Sequence, residues 1–380
     1  MKYGIVGWYG RKNLGDELLL KCLTDFFGRK QAIVFTTSAS SAEVVKKNHN
    51  LKAFEMTSLS EHDIDFLIFG GGDVFHDLTA EWYFPESLMD KIECPILMLS
   101  VGIPFGEGHS TISRSIDRFV DSVCFVSFRD AYSRKIFSDL WSEKASYILP
   151  DLGFLIEKQQ AQRKNGVVLQ VRAIPKSYRP ITPKNFQRIA FNQFTYLNSE
   201  FKKRNLSPKF LLFNPKDSRM LPNDCISIDC FSDSKYSRAI AEICSSEALI
   251  GTSLHSSMIA LTQGTPFRAY RYQGKIDGVI GMICKERVVY PSKVFPFKDL
   301  YPIDEFTYEE KKHVNLIKQY LKESLDIIKR HAINRDFQGI VLPEFPIEES
   351  VSESYGYAKL GHKPKILRDL RNWIYSQIGK

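Results

Sequence analysis

The sequence lacks the features of several large classes of protein. No stretch approaches the roughly 18 consecutive apolar residues of a membrane-spanning helix, which argues against an integral membrane protein. It has no low-complexity segment and no internal repeat with a period of about 20–50 residues. Charged residues make up 25% and hydrophobic residues 43% of the 380 residues, the balance of a globular protein. At roughly 150 residues per domain, this length predicts two domains.

The cysteines exclude a second group of proteins. There are seven, an odd number, and none belongs to a C-x-x-C pair. Reduced cysteines buried in a core are therefore expected, rather than a zinc site or a disulfide framework. No other cluster of metal ligands is evident, so we predict neither a metal nor a cofactor. The first residues enter a strand without signal-peptide architecture, which predicts a cytoplasmic protein.

The excess of positive charge is small, and half of it is in one place. Lys and Arg number 52 against 44 Asp and Glu, a net charge of +8. This favours an anionic ligand or surface, and no nucleic-acid binding module is recognisable. Residues 351–380 contain six basic and two acidic side chains, with apolar residues on one face of a potential helix. Two interpretations fit: a helix lying on an anionic membrane, peripheral to the inner face of the plasma membrane, or a helix packed across the domains.

Short apolar runs alternate with helical patterns along most of the chain. The predicted strands are Tyr3–Val6, Ala32–Thr36, Asp65–Phe69, Ile96–Val101, Val123–Ser127, Gly166–Val171, Phe210–Phe213 and Ala248–Ile250. The predicted helices are Gly15–Phe27, Glu81–Lys91, Ser113–Asp121, Asp130–Leu140, Asn185–Lys203, Ser234–Cys244, Leu254–Thr262 and Tyr308–Arg330. Alternation of this kind is typical of parallel sheets covered by helices.

A polar stretch at residues 157–165 interrupts the alternation, which then starts again. We therefore predict an α/β protein of two facing Rossmann-like domains, with ligands bound in a cleft at the carboxyl ends of the strands. The predicted boundaries are residues 1–155 for the first domain and 156–335 for the second. Residues 336–380 form a tail with the basic amphipathic helix.

The first candidate site is the loop from Gly7 to Glu17, between a strand and a helix. Its glycines and the free N–H groups of the helix start suit a bound ligand, with Asn13 and Asp16 as polar contacts. The acidic residues also complement the helix dipole without any ligand. The glycines do not follow the G-x-G-x-x-G spacing, and no carboxylate ends the strand Ala32–Thr36, so a dehydrogenase is disfavoured.

A second candidate site follows the strand that ends at Phe69. Three glycines, including Gly71 and Gly72, allow a ligand to lie against the backbone, and Asp73 and Asp77 supply carboxylates. The alternative is a tight turn in which an aspartate caps the next helix.

Two arginines stand at predicted strand ends. Arg129 either faces an anion in the cleft or forms a buried pair with Asp130 that fixes the turn. Arg172 ends the first strand of the second half, where a guanidinium can grip a carboxylate or phosphate, or simply be solvated.

The strongest candidate is the segment from Gly251 to Pro266. A buried strand ends at Gly251, and a helix then begins near Ser253, His255 and Ser256. An imidazole and hydroxyl groups therefore lie at a helix N-terminus, where an anionic group docks well.

Taken in order, these segments resemble the polysaccharide pyruvyl transferase family over residues 1 to about 270. The matching pieces are Gly7 with Asn13–Glu17, Phe69–Asp73 with Asp77, Ser127–Asp130, Pro150–Phe154, Arg172, Gly251–His255 and Gly264–Pro266. The resemblance implies a GT-B-like fold, phosphoenolpyruvate as the donor substrate and a sugar of a cell-surface, typically lipid-linked glycan as the acceptor. The product it implies is a pyruvate ketal bridging two sugar hydroxyls.

The resemblance also implies roles for particular residues. Arg172 looks like the family's donor-binding arginine, and His255 like the histidine of its arginine–aliphatic–histidine motif. The sequence departs from that motif, because Ser253 stands at the arginine position. Lys216 or Arg268 is a candidate to replace the missing cation.

The chemistry of an enol phosphate gives the same residues roles of their own. Reaction at C2 requires protonation at C3, and His255 is the best candidate for the acid. Arg172 and the start of the following helix, with Ser253 and Ser256, would hold the donor's anionic groups. The acceptor hydroxyls need a base, for which Asp73 or Asp77 is the first choice and Asp16 the weaker one.

Two other functions fit the same pattern. A GT-B glycosyltransferase that uses a sugar nucleotide would share the scaffold, although no Glu-rich motif follows Gly264. A non-catalytic, glycan-binding member of the family is the second alternative, and Ser253 is its main support.

Overall fold

The computed structural model describes residues 1–347, except 107–108, 111, 162–165, 175–181, 183–184, 233–235 and 338. The basic helix predicted within residues 351–380 therefore lies outside the described residues, as does Ser234, the predicted start of a helix.

The chain folds into two helix-covered parallel sheets. The strands are β1 (Tyr3–Val6), β2 (Ala32–Thr36), β3 (Lys52–Glu55), β4 (Phe66–Gly72), β5 (Ile96–Val101), β6 (Phe105–Gly106), β7 (His109–Ser110), β8 (Val123–Phe128), β9 (Tyr147–Ile148), β10 (Val167–Gln170), β11 (Lys209–Leu212), β12 (Ile226–Asp229), β13 (Ala248–Gly251), β14 (Phe267–Tyr270) and β15 (Val288–Val289). The helices are α1 (Leu14–Phe27), α2 (Ala39–His49), α3 (Thr79–Trp82), α4 (Glu86–Met89), α5 (Asp117–Ser122), α6 (Ala131–Leu140), α7 (Phe186–Lys203), α8 (Tyr236–Cys244), α9 (Leu254–Gln263), α10 (Met282–Cys284), α11 (Phe297–Leu300) and α12 (Tyr308–Asn334).

Both sheets have the Rossmann strand order. The first runs β3-β2-β1-β4-β5-β8-β9 and the second β12-β11-β10-β13-β14-β15, with the pairs parallel. In each sheet the strand order reverses beside the first strand, at β1/β4 and at β10/β13. Ligands of such sheets bind at this switch point, beyond the carboxyl ends of the strands. The predicted pair of Rossmann-like halves is confirmed.

The central strands are apolar throughout because helices cover both faces of each sheet. Every residue of β1, β4, β5 and β13 is buried. The polar groups that follow these strands are therefore concentrated at their carboxyl ends. Polar side chains that could bind a ligand therefore lie along one edge of each sheet.

Two predicted helices are shorter than expected, and several elements were not predicted, among them one helix–strand pair in the first sheet. The segment predicted as one helix at 81–91 is two short helices, α3 and α4, with Pro85 preceding the second. The helix predicted at 113–121 begins as a 3₁₀ turn, Arg114–Ile116, and continues as α5. The sequence did not predict α2 or β3, an edge strand beyond β2.

The long helix α12 packs against both halves of the chain. Near its start, Glu310 accepts two hydrogen bonds from Arg287 of the second half, at 2.7 and 2.9 Å. Further along, the Tyr320 hydroxyl donates to the carbonyl of Ile148, and Lys329 to that of Phe26, both at 2.8 Å. Domain boundaries at residues 155 and 335 stay a prediction. Within the described residues, no helix is both long and apolar enough to cross a bilayer.

Candidate active site

The starts of α1 and α9 meet across the cleft. A Cβ atom added at Gly15 would collide with the imidazole of His255, so only glycine permits this approach. The backbone N–H of Leu14 donates to the carbonyl of Phe213 at 3.0 Å, and the Asn214 side chain donates to the carbonyl of Lys12 at 3.3 Å. The β1–α1 loop of the first half is thus held against the second half.

His255 lies at the centre of this junction. It is 7% exposed, and its Nε2 atom has no hydrogen-bond partner among the described residues. Burial, together with the neighbouring cations Arg129, Lys275 and Arg172, lowers the pKa of His255 to about 4 against the opposing charge of Asp151. The imidazole is therefore neutral at pH 7, with one ring nitrogen ready for a ligand.

The segment around His255 is ordered by its own polar contacts. The Ser253 N–H donates to the side-chain oxygen of Gln170 at 2.8 Å, which ties the start of α9 to the end of β10. The hydroxyls of Ser256 and Ser257 both donate to the carbonyl of Ser253, at 2.8 and 3.3 Å. Ser253 precedes the helix without a side-chain capping bond. Its hydroxyl is thus placed at the helix start, where an anion would bind.

Asp73 joins the two halves through charge. Its carboxylate accepts hydrogen bonds from Arg129 of the first half and from Lys275 of the second. Burial alone would raise the pKa of Asp73, but Arg129 and Lys275 hold it well below its usual range. Asp73 is therefore a fixed anion that orients two cations.

Arg129 points inward and is enclosed by carboxylates. Its guanidinium is 1% exposed and lies 3.4 Å from Asp151 and 3.8 Å from Asp130, in addition to its bond with Asp73. Asp130 also begins α6, since its carboxylate accepts from the N–H of Ser133 at 2.8 Å. Arg129 thus fixes the turn between β8 and α6 and positions Asp73.

Asp16 is the buried carboxyl on the first-half side of the junction. Burial raises the pKa of Asp16 to about 7, in spite of the opposing charges of Arg172 and Lys275. The Asn13 side-chain amide donates a hydrogen bond to it. The two polar residues predicted in the β1–α1 loop, Asn13 and Asp16, are therefore hydrogen-bonded to each other. The carboxyl of Asp16 exchanges its proton near neutral pH.

Arg172 follows β10 and is partly exposed. Its N–H donates to the Thr252 hydroxyl at 2.7 Å, and its guanidinium carbon lies 5.8 Å from the centroid of the Tyr272 ring. Its charge acts on Asp16, Asp73 and His255. Arg172 and Lys275 thus bring two cations to the same buried cluster.

The glycine loop that ends β4 adopts the conformation that glycine alone takes easily. Gly71 and Gly72 have φ angles of 79° and 96°. The Tyr9 hydroxyl donates to the carbonyl of Gly70, and the position a Cβ of Gly72 would occupy is 2.9 Å from the Asp16 carboxylate. The bare backbone of this loop therefore lies directly beside Asp16.

Asp77 has a local structural role. One of its oxygens accepts from the N–H and hydroxyl of Ser113, at 2.6 and 2.8 Å, and from the Ser115 hydroxyl at 3.1 Å. It thereby holds the turn that precedes α5. Within the described residues, no three or more His, Cys, Asp or Glu side chains are grouped so that they could hold a metal ion.

Comparison with known protein families shows which family the chain belongs to. The sequence profile of the family described as polysaccharide pyruvyl transferase matches residues 13–274, well over half of the chain. This chain belongs to the polysaccharide pyruvyl transferase family. The resemblance expected from the ordered motifs is therefore confirmed. No curated protein sequence matches the chain significantly.

Three solved structures share the fold of this chain at low sequence identity. A co-structure of S. aureus MnaA with UDP is 12% identical, with a TM-score of 0.55, and the match covers 88% of this chain and 97% of that one. The UDP-N-acetylglucosamine 2-epimerase of Rickettsia bellii is 13% identical, with a TM-score of 0.51 and coverages of 87% and 96%. A putative UDP-N-acetylglucosamine 2-epimerase from Listeria monocytogenes is 8% identical, with a TM-score of 0.51 and coverages of 88% and 97%. At these identities the likeness shows the GT-B-like fold and nothing further.

In this pyruvyl transferase family member, most of the residues singled out in the sequence are brought together. His255, Ser253, Arg172, Asp16 and Asp73 surround one junction, while Arg129 acts through Asp73 and Asp77 caps a turn. Of the two cations proposed to replace the missing arginine, Lys216 is exposed, in the turn that follows Asn214, and Arg268 donates to the carbonyl of Glu286 at 2.7 Å.

Sequence reasoning missed Lys275 as the additional cation. It lies five residues beyond the end of β14, in the loop that leads to a π-helical turn, Ile276–Gly281. The rule that ligands bind at strand ends, applied to Phe267–Tyr270, would have marked it as a candidate.

Proposed function

We propose that this protein transfers pyruvate from phosphoenolpyruvate to two hydroxyl groups of a sugar in a cell-surface glycan, forming a pyruvate ketal. The observation that carries the proposal is the junction of α1 and α9. There a neutral imidazole with an unpartnered nitrogen, His255, lies within reach of the charges of Arg172 and Lys275, and the facing helix start carries the buried carboxyl of Asp16. A small, strongly anionic substrate with a site for proton transfer fits this set of groups.

The anionic groups of the donor are held by two cations from the second half. Arg172 offers a guanidinium, which pairs in bidentate fashion with carboxylate or phosphate. Lys275 supplies the positive charge that the family's arginine would give at Ser253. The Ser253 hydroxyl and the first N–H groups of α9 complete the anion site.

His255 donates the proton that activates the donor. Its pKa, about 4 without a ligand, is low because it is buried among cations. A bound donor brings a carboxylate and a phosphate close to His255 and so raises its pKa, since nearby anions favour the imidazolium form. The imidazole therefore gains a proton when the donor binds and can transfer it to C3.

Asp16 is the base for the acceptor hydroxyl, in preference to Asp73 and Asp77. Asp73 is a poor base because two cations hold it ionised, and Asp77 is occupied in a turn. Asp16 has a pKa of about 7, close to the pH at which a base works best. It also lies beside the bare backbone of Gly72.

The proposed steps balance as follows. The first hydroxyl forms a bond to C2 as Asp16 takes its proton and His255 gives a proton to C3. The C2–O bond to phosphate then breaks, and phosphate leaves with the proton held by Asp16. The second hydroxyl forms its bond to C2, and its proton returns to His255. Phosphoenolpyruvate and a diol thus yield a ketal and inorganic phosphate.

The proposed location of the protein in the cell follows from its lipid-linked acceptor. A lipid-linked glycan is built at the inner face of the plasma membrane, and the basic residues 351–380 suit that surface. We expect a cytoplasmic protein that binds vesicles containing anionic lipids. Removal of residues 351–380 should abolish vesicle binding, and unchanged binding would contradict this part of the proposal.

The donor class is tested by thermal unfolding with phosphoenolpyruvate, UDP-glucose, GDP-mannose and inorganic phosphate in turn. A ligand that binds only the folded state adds about 2.7 kcal/mol of stability at a hundredfold excess over its Kd. We expect phosphoenolpyruvate to raise the melting temperature. Stabilisation by a sugar nucleotide instead would favour a glycosyltransferase.

Turnover is tested by phosphate release from phosphoenolpyruvate in the presence of a panel of glycans. His255→Gln should abolish release while the protein keeps its melting temperature. The matched control is His313→Gln, on α12, which should release phosphate as the unchanged protein does. Donor binding without release on any glycan would favour a non-catalytic family member.

A further inference from the structure

Two half-buried tryptophans lie together at the edge of the first sheet. Trp8 follows β1 directly, and Trp82 belongs to α3, in the connection that follows β4. Their ring centroids are 5.4 Å apart, and the ring planes are inclined at 33°. Both side chains pack with one part against the core and leave the rest accessible. They form a paired aromatic surface beyond the carboxyl ends of β1 and β4.

The tryptophan pair lies between the solvent and the loop that carries Asp73. On the outer side, the guanidinium carbon of exposed Arg11 lies 4.6 Å from the centroid of the Trp8 ring, and the guanidinium donates to the Thr37 hydroxyl. On the inner side, the ring of buried His76 meets Trp82 edge to face at 5.0 Å. We call Trp8, Trp82 and His76 the aromatic row.

We propose that Trp8 and Trp82 of the aromatic row form the subsite that holds a pyranose ring of the acceptor glycan. This rests on the proposed function, because it names the place of that function's second substrate. A pyranose presents C–H groups on its faces, and these pack on the π-surface of an indole, while its hydroxyls need polar partners at the rim. Arg11, whose guanidinium lies over the Trp8 ring and donates to Thr37, has further N–H donors for such contacts.

The position of the row suits an acceptor rather than the donor. The loop that carries Trp8 continues into the start of α1, where Asp16 lies, and His76 is three residues beyond Asp73. The cations that suit the donor, Arg172 and Lys275, belong to the second half of the chain. A sugar bound on the aromatic row would therefore reach the junction of α1 and α9 from the first half of the chain.

The inclination of the rings favours a sugar over a nucleobase. A flat base stacks best on one open, parallel aromatic face. Trp8 and Trp82 are inclined at 33° with ring centroids 5.4 Å apart, so they offer neither one flat face nor a gap in which a base could stack, whereas a pyranose can pack its C–H groups on their accessible parts. Uridine serves as the probe for the competing occupant.

The test is saturation-transfer NMR on the full chain with methyl pyranosides of glucose, galactose, mannose and N-acetylmannosamine, and with uridine. We expect at least one pyranoside to bind, with the strongest transfer to its ring C–H protons. Trp8→Ala and Trp82→Ala should each weaken that binding by roughly tenfold or more, about the 1.4 kcal/mol that aromatic packing supplies. Trp8→Phe keeps a ring and should retain part of the affinity. Tyr308→Ala, which removes an aromatic ring that is 78% exposed on α12, is the matched control and should bind as the unchanged protein does.

Donor binding separates this proposal from the proposed function. The melting-temperature shift with phosphoenolpyruvate should be the same in Trp8→Ala as in the unchanged protein, which also shows that the variant folds. Pyranoside binding that survives both alanine substitutions, binding of uridine alone, or no pyranoside binding at all would overturn the subsite. Pyranoside binding on the row without any response to phosphoenolpyruvate would overturn the donor and leave the subsite standing.

Discussion

The backbone of Gly15 and the imidazole of His255 are in contact across the cleft between the two sheets. One belongs to the first turn of α1 and the other to the first turn of α9. The first turn of α1 also carries the buried carboxyl of Asp16. Two helix starts from different halves therefore build one candidate site.

Gly15→Ala should separate the halves and destabilise the fold. The added methyl group occupies the position of the imidazole, and overpacking of this kind costs about 1–3 kcal/mol. Denaturant unfolding measures the loss. Gly281→Ala is the control, because a Cβ there meets its neighbours only at 3.7 Å or more. Equal stability of the two variants would contradict the close approach.

Asp73→Asn should be strongly destabilising. It leaves Lys275 and the enclosed Arg129 without their shared carboxylate, and breaking a buried ion pair costs roughly 3–5 kcal/mol. Asp63→Asn is the matched control, since that side chain is 95% exposed and its ion pair should contribute little. Both are measured by urea unfolding, and a loss no larger than that of Asp63→Asn would refute the role of Asp73.

Asp16→Asn should change how stability depends on pH. The pKa of Asp16 is about 7 in the folded protein and near 4 in an unfolded chain, so the folded state binds more protons between these values. Its contribution to stability therefore grows as pH falls through this window. The variant should be more stable than the unchanged protein at about pH 8, with a smaller difference at about pH 5. A difference that does not vary with pH would contradict the raised pKa.

Binding of phosphoenolpyruvate should take up protons. The donor's negative charge raises the pKa of His255 from its low value. Calorimetry at about pH 7.5, in two buffers of different ionisation enthalpy, measures the uptake. We expect less uptake in His255→Gln than in the unchanged protein. Heats that do not depend on the buffer would contradict the proposed proton transfer.

The sequence predicts this site well where local signals suffice. Buried apolar runs that end in glycine mark β4 and β13, and so place Asp73 and His255 at carboxyl strand ends. The polar segment that forms α2 carries a weak apolar pattern, and β3 is an edge strand with two exposed residues, so neither was recognised.

Tertiary contacts determine the features of the site that local sequence patterns do not predict. Arg129 turns inward because Asp73, Asp130 and Asp151 come from separate segments and meet around it. Lys275 reaches a carboxylate 202 positions earlier in the chain, a pairing that no local pattern reveals. The choice of Asp16 over Asp73 as base depends on these same pairings.

The measurement that tests the central claim most directly is a calorimetric titration of phosphoenolpyruvate into the unchanged protein and four variants. Arg172→Met and Lys275→Met each remove a cation proposed to hold the donor, while Lys216→Met and Arg268→Met remove cations that have no part in the proposed donor site. We predict that the first two weaken binding by about tenfold or more, or 1.4 kcal/mol, and that the other two leave it unchanged. Failure of the unchanged protein to bind phosphoenolpyruvate, or equal affinity in Lys275→Met and Lys216→Met, would contradict the account.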